Sequence, residues 1–153
     1  MTQPTYFDIT KDMIPVISEP FGTVRVISGE YANTKGVHPP HIQASLYDVT
    51  VDAGKEAVIS VNKGDNAFIF LIEGDAIVND TLQSEKSAVL FEREGDSINV
   101  SATDTAPARI IFFSGKALKE PIAWGGPIVM NTEEELQETF RELENGTFIR
   151  HKD

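Results

Sequence analysis

Short apolar runs separated by glycine and polar turns dominate the chain. Gly54, Gly64 and Gly74 recur every ten residues, and Gly95 and Gly115 continue the rhythm at about twice that interval. Between them stand TVRVIS, SLYDVTV, EAVISV, AFIFLI, DAIVN, SAVLFE, SINVS and RIIFFS, each rich in the β-branched and aromatic residues that suit a pleated strand. In SLYDVTV, Tyr47, Val49 and Val51 alternate with Asp48 and Thr50, which predicts one buried face and one wet face. AFIFLI is apolar at every position, as expected of a strand covered on both sides. Many short strands with evenly spaced turns predict an all-β protein, an antiparallel sandwich or barrel.

The helical period appears once, near the end, and predicts a helix at about 132–145. Thr132 stands as N-cap with Glu135 three residues later, a capping box, and the acidic first turn suits the helix dipole. Leu136, Phe140 and Leu143 form a narrow apolar stripe and Gly146 stops it, so the helix is expected on the surface of the barrel. The preceding PIAWGGPIVMN holds the only tryptophan, two prolines and a Gly-Gly pair, and is therefore expected to be extended and outside the middle of a sheet. Its apolar strip of Trp124, Ile128, Val129 and Met130 predicts an interaction face.

Composition narrows the classes. A chain of 153 residues suits one domain that buries roughly 70% of its unfolded surface. Having no cysteine, it offers no disulfide, thiolate ligand or thiol nucleophile, which agrees with a reducing compartment. The start lacks a basic segment followed by an apolar run, and no stretch of about 18 apolar residues occurs, so a cytoplasmic protein without membrane insertion is expected. The net charge of −11 disfavours nucleic acid and anionic lipid as direct partners.

Candidate chemistry begins with VHPPHIQ, which carries His38 and His41. In a polyproline-like conformation residues three apart share a side but stand about 9 Å apart. A metal site there would need a third ligand, with Asp48 or Glu30 as the nearby carboxylates; the plainer reading is a loop whose prolines set the entry into the next strand. His151, in the terminal RHKD, is expected to be solvated. Asp48, Asp52, Glu73, Asp75, Glu92, Glu94 and Asp96 are the carboxylates from which an acid–base pair would be drawn, but most abut turns. Phe68, Phe70, Phe91, Phe112 and Phe113 suit either a small-molecule cavity or a core. The glycine-rich phosphate loop and the nucleophile elbow are both missing.

The strand rhythm together with VNKGDNAFIFLIEGDAIVND resembles a cupin. VRVISGEYANTKG, EREGDSINV and SGKALKEPIAWGGPIVMNTEEELQETFRELENGTF are similar to the second half of the pirin family, whose members are bicupins. The resemblance implies a cupin barrel (double-stranded β-helix, or jelly roll) over 23–115. An arm over 1–22 is similar to the pirin interdomain connector, and a C-terminal extension over 116–153 carries the short helix. In pirins the first barrel holds the single metal, usually iron, on three histidines and a glutamate. By resemblance this chain is the metal-poor C-terminal cupin standing alone, without that barrel.

Laid between Gly54 and Gly74, the first cupin metal motif puts its ligand positions on Ser60, Asn62 and Ala67, and no histidine lies between 42 and 150. No metal and no other cofactor are therefore expected. The leading expectation is a binding or assembly module without catalysis. Two alternatives stay open. One is an oxidoreductase similar to the quercetin 2,3-dioxygenases found among pirins, with iron or another divalent metal on His38 and His41. The other is a small-molecule-sensing barrel whose cavity is lined by Tyr47, Phe68 and Phe70. For partners, Trp124, Ile128, Val129 and Met130 are expected to bury against a second copy, giving a homodimer that imitates a bicupin, or against a separately encoded protein.

Overall fold

The computed structural model describes residues 6–149, in two compact units that divide between Ala117 and Leu118. After a 3-10 turn at Lys11–Met13, the first unit contains β1 (Val16–Glu19), β2 (Gly22–Ser28), β3 (Glu30–Tyr31), β4 (Thr34–Lys35), β5 (Ala44–Val51) and β6 (Glu56–Ser60). It continues with β7 (Asp65–Glu73), β8 (Ala76–Val78), β9 (Thr81–Gln83), β10 (Ala88–Leu90), β11 (Ser97–Ala102) and β12 (Ala108–Lys116). One sheet has six strands in the order β1-β2-β5-β12-β7-β10, the other four in the order β6-β11-β8-β9. Every pairing within these two sheets is antiparallel. Val16–Glu19, inside the segment expected as an arm, is an edge strand on β2.

Alternation along each strand builds the core. On β5, Tyr47, Val49 and Val51 point inward; on β12, Ala108, Ile110 and Phe112; on β6, Ala57 and Ile59; on β11, Ile98, Val100 and Ala102. All of them join one apolar cluster between the sheets. Phe112 lies opposite Tyr47 on one side and Ile69 on the other, and its ring stacks on Tyr47 with centroids 5.2 Å apart. Full burial of an aromatic side chain of this size is worth about 3 kcal/mol, which puts Phe112 among the largest single contributors.

Strand β7 departs from the expectation of burial on both sides. Ala67, Ile69 and Leu71 face the core, while Phe68 and Phe70 point outward and remain 38% and 36% exposed. The uniform apolarity of AFIFLI conceals a period of two, and the same holds for β12, where Ile111 and Phe113 face out. Phe68 and Phe113 stack on that outer face at 4.5 Å between centroids.

The second unit holds a two-stranded hairpin, β13 (Ala123–Gly125) and β14 (Ile128–Met130), followed by helix α1 (Glu133–Glu144). The capping box forms: the Thr132 hydroxyl accepts from the Glu135 N–H at 3.2 Å, and the Glu135 carboxylate accepts from the Thr132 N–H at 3.1 Å. A Cβ on Gly125 would stand 2.9 Å from the Phe140 ring and 3.3 Å from Leu136, so the hairpin backbone lies directly against the apolar stripe of α1. His151 lies outside the described residues.

Gly74 closes β7 at φ +75°, and a Cβ there would meet the Pro107 carbonyl oxygen at 2.3 Å. Gly64 has φ +91° but open space around it. Gly64→Ala is expected to cost about 1 kcal/mol from left-handed backbone strain alone. Gly74→Ala is expected to cost about 2–4 kcal/mol, because backbone must also move; urea unfolding of the two variants side by side measures the difference.

Candidate functional site

Four places carry the residues singled out by sequence. The first is the interior of the barrel, where a cupin metal site would be built. Strand β6 runs exposed, buried, exposed, buried, exposed, so Ile59 enters the core at 1% exposure while Ser60 and Asn62 face water. Ala67, the third position given by the motif spacing, does face inward at 3% exposure. The three positions therefore do not share a face, and the neighbouring inward-facing group is Ile59, which donates nothing to a metal. Among the described residues no group of three or more His, Asp or Glu side chains converges on a possible metal position. This donor chemistry does not fit the iron implied by the resemblance, which needs imidazole and carboxylate ligands with open positions.

The second place is the histidine loop. His38 and His41 both lie exposed between the end of β4 and β5. The carboxylates considered as third ligand are engaged elsewhere. Asp48 is 7% exposed and is gripped by Arg109, whose Nε and Nη2 donate to its two oxygens at 2.9 and 2.8 Å. Arg25 adds a longer contact at 3.6 Å, and Glu73 reaches Arg109 at 3.5 Å. Asp48, with Glu73 behind it, raises the Arg109 pKa above its ordinary value, so the guanidinium stays charged throughout. Glu30 lies 3.9 Å from Lys35. Asp48 was expected on the wet face of β5 and does point that way; its burial comes from this ion-pair network and not from the core.

The third place is the expected cavity, and here the structure corrects the residue set. Tyr47 is a core residue at 4% exposure, wedged between Phe112 and the edge of Tyr31, with its hydroxyl donating to the Glu30 carbonyl at 2.6 Å. Burial, with Glu19 as the next cause, raises the Tyr31 hydroxyl above its ordinary pKa. Phe68 and Phe70 lie on the opposite side of the sheet, because adjacent registers alternate faces. The three do not line one cavity. A pocket of about 320 Å³ does exist, at the end of the sandwich where β6 leaves and β11 enters, with Val61, Ala67, Phe91 and Ile98 as apolar wall and Asp65 and Glu92 as acidic wall. Sequence reasoning named Phe91 and Glu92 but gave no reason to join them to Val61, Asp65 and Ile98, which only the strand pairing brings near.

In the tail, alternation divides the apolar strip. Trp124 and Val129 pair across the hairpin and are 74% and 61% exposed. Ile128 pairs with Gly125 and shares its helix-facing side, and Met130 follows in the same register, so neither belongs to the exposed face. The remaining carboxylates considered for acid–base work, Asp52, Glu73, Asp75, Glu92, Glu94 and Asp96, are exposed. No helix among the described residues is long and apolar enough to cross a membrane.

Removing Arg109 while keeping Asp48 leaves a nearly buried carboxylate with only the longer Arg25 contact. Arg109→Leu is expected to cost about 2–3 kcal/mol in urea unfolding, and adding Asp48→Thr to the same chain is expected to recover part of that loss.

Comparison with known proteins follows the same lines as the fold. A profile of the Pirin C-terminal cupin domain matches residues 46–149. Human pirin is 32% identical over 154 residues, covering 95% of this chain and 52% of its own length, and a pirin-like protein of Caulobacter vibrioides is 32% identical over 97% of this chain and 54% of its own. The crystal structure of quercetin 2,3-dioxygenase from Acinetobacter baumannii superposes with a TM-score of 0.89 at 30% identity, covering 97% of this chain and 52% of that one. The two sheets are accordingly a cupin jelly roll. The chain spans 51% to 61% of the lengths of the curated relatives it matches. This chain belongs to the pirin family and corresponds to its C-terminal cupin domain.

Proposed function

We propose that this pirin-type cupin serves as a binding and assembly module and performs no metal-centred oxidation of its own. The observation that supports this reading is the composition of the barrel interior. At and beside the positions where a cupin metal site is assembled, the inward-facing side chains are Ala67 and Ile59, and the one buried carboxylate among the described residues, Asp48, is already neutralised by Arg109 on the other side of the sheet. An ion held in such an interior would forfeit its hydration without gaining ligands. The exposed Trp124 and Val129 pair supplies an apolar contact of the kind that anchors a protein partner, either a second copy or a separately encoded chain.

One specific observation favours a second reading. A crystal structure that matches this chain with a TM-score of 0.89 carries the name quercetin 2,3-dioxygenase, at 30% identity. Under that reading iron or another divalent metal would sit outside the core, on His38 and His41, and the missing ligands would come from another chain or from the further length that the relatives possess. A sensing role would use the 320 Å³ pocket, whose acidic and apolar walls suit a small amphipathic molecule.

Elemental analysis of the untagged protein separates the first two. The assembly reading expects no stoichiometric transition metal and no change in metal content on His38→Ala. A full equivalent of iron, nickel or manganese that is lost in His38→Ala would replace it with the oxygenase reading.

A further inference from the structure

The inward row of β7 runs Asp65, Ala67, Ile69 and Leu71, and its first two members depart from the bulky apolar filling of the rest. Ala67 brings only a methyl where the residues beyond it bring branched side chains, and Asp65, half-buried, brings a carboxylate. The pocket of about 320 Å³ lies over these two residues, with Val61, Phe91 and Ile98 completing its apolar wall and Glu92 its acidic one.

We infer that this pocket takes a small organic cation, an ammonium head on a short apolar body, with Asp65 as the anchor of the head group. The inference deepens the sensing reading of the pocket and rests on it.

The charge inventory points to a cation. Asp48 is matched within the chain by Arg109, whereas Asp65 has no such match. Its carboxylate accepts from the Asn62 side-chain amide at 3.1 Å, and Lys116, its cross-strand partner on β12, forms no ion pair with it. Among the described residues no lysine or arginine stands within ion-pair distance of Asp65 or Glu92. Arg93, next in sequence to Glu92, donates instead to Asn66 at 2.7 Å, on the outer face of β7. A half-buried carboxylate without a counter-ion has given up solvation that an incoming charge-assisted hydrogen bond returns. A chain of net charge −11 also draws cations to its clefts and repels anions.

The walls decide which cation. A hard divalent ion takes about six or more oxygen ligands, and among the described residues no group of three or more acidic or histidine side chains could hold one. Val61, Ala67, Phe91 and Ile98 instead offer apolar surface, which a bare ion cannot use and a short hydrocarbon body can. The volume lies at the lower end of the roughly 300–1,000 Å³ range of ligand pockets, so that body is short.

Amide NMR titration of the full, isotope-labelled chain with n-hexylammonium, n-hexanol and hexanoate tests this. Hexylammonium is expected to give saturable shifts at the amides of Val61, Ala67, Phe91 and Ile98. Its Kd is expected to be at least about tenfold below that of hexanol, the scale of one hydrogen bond to a charged group, with hexanoate weaker than either. Asp65→Asn is expected to bring hexylammonium within about twofold of hexanol, since the charged partner is gone. Asp65→Ser carries the same expectation, so the test does not hang on the folding of one variant, which the amide spectrum itself reports. Asp104→Asn removes one charge at the turn between β11 and β12 and is expected to leave the preference unchanged. Hexanol or hexanoate binding at those amides as tightly as hexylammonium overturns the cation and leaves the pocket standing. A preference for hexylammonium that survives both Asp65 variants, or that Asp104→Asn removes equally, overturns the assignment of Asp65. No saturable shift at those amides with any of the three probes overturns the inference together with the sensing reading.

Discussion

Two sheets share one dry interior, and each side chain that enters it must be apolar or bring its own hydrogen bond. That requirement decides nearly everything else in the first unit. It selects Val24, Val26, Val49, Val51, Ile69, Ile110 and Phe112 for full burial and allows Tyr47 only because its hydroxyl reaches the Glu30 carbonyl. It also bears on chemistry. A cupin barrel becomes a metal enzyme when imidazoles and carboxylates face its interior at a few positions, and here the inward-facing residues in that region are Ile59 and Ala67.

Charge is kept on the other side of the sheet. Asp48 on β5 lies diagonal to Arg109 on β12, whose direct partner is Thr50, and the two form a bidentate pair in which the carboxylate is almost dry; Arg25 and Glu73 extend the network across four strands. Such a network contributes less to stability than its short distances suggest, because each ion has given up water. Its effect on register is larger. A slip of one residue in β5 would send Asp48 into the apolar interior and Tyr47 or Val49 out of it, so the pair penalises misalignment of the central strands.

Much of this was legible in the sequence. Every run read as a strand contains one, and the capping box at Thr132 and Glu135 forms as its spacing predicts. Strands β1, β3, β4 and β9 escaped notice because they are only two to four residues long, and PIAWGGPIVMN was read as extended without its hairpin of β13 and β14. The faces of β7 and β12 were harder. AFIFLI contains no polar residue with which to mark parity, and in RIIFFS the polar ends Arg109 and Ser114 fall on opposite faces, so Phe68 and Phe70 were expected beside Tyr47 although the pleat sets them apart. Counting from Gly54 lands on Ser60 and Asn62, which hold no ligand set; that both face water is visible only from their exposure in the fold. The pocket that joins Val61, Phe91 and Ile98 depends on which strands cross over, which no local pattern encodes.

The position of β12 has a bearing on how the chain folds. It is the last strand of the first unit to leave the ribosome, yet it lies in the middle of the large sheet, between β5 and β7, and its contact with Asp48 spans 61 residues. Until residue 116 has emerged, β5 and β7 each present an open, strongly apolar edge, and closing so distant a pairing is slow compared with forming local hairpins. The nascent chain therefore passes through a half-built state in which chaperone capture and misassociation compete with completion, and the arrival of a single strand ends that exposure.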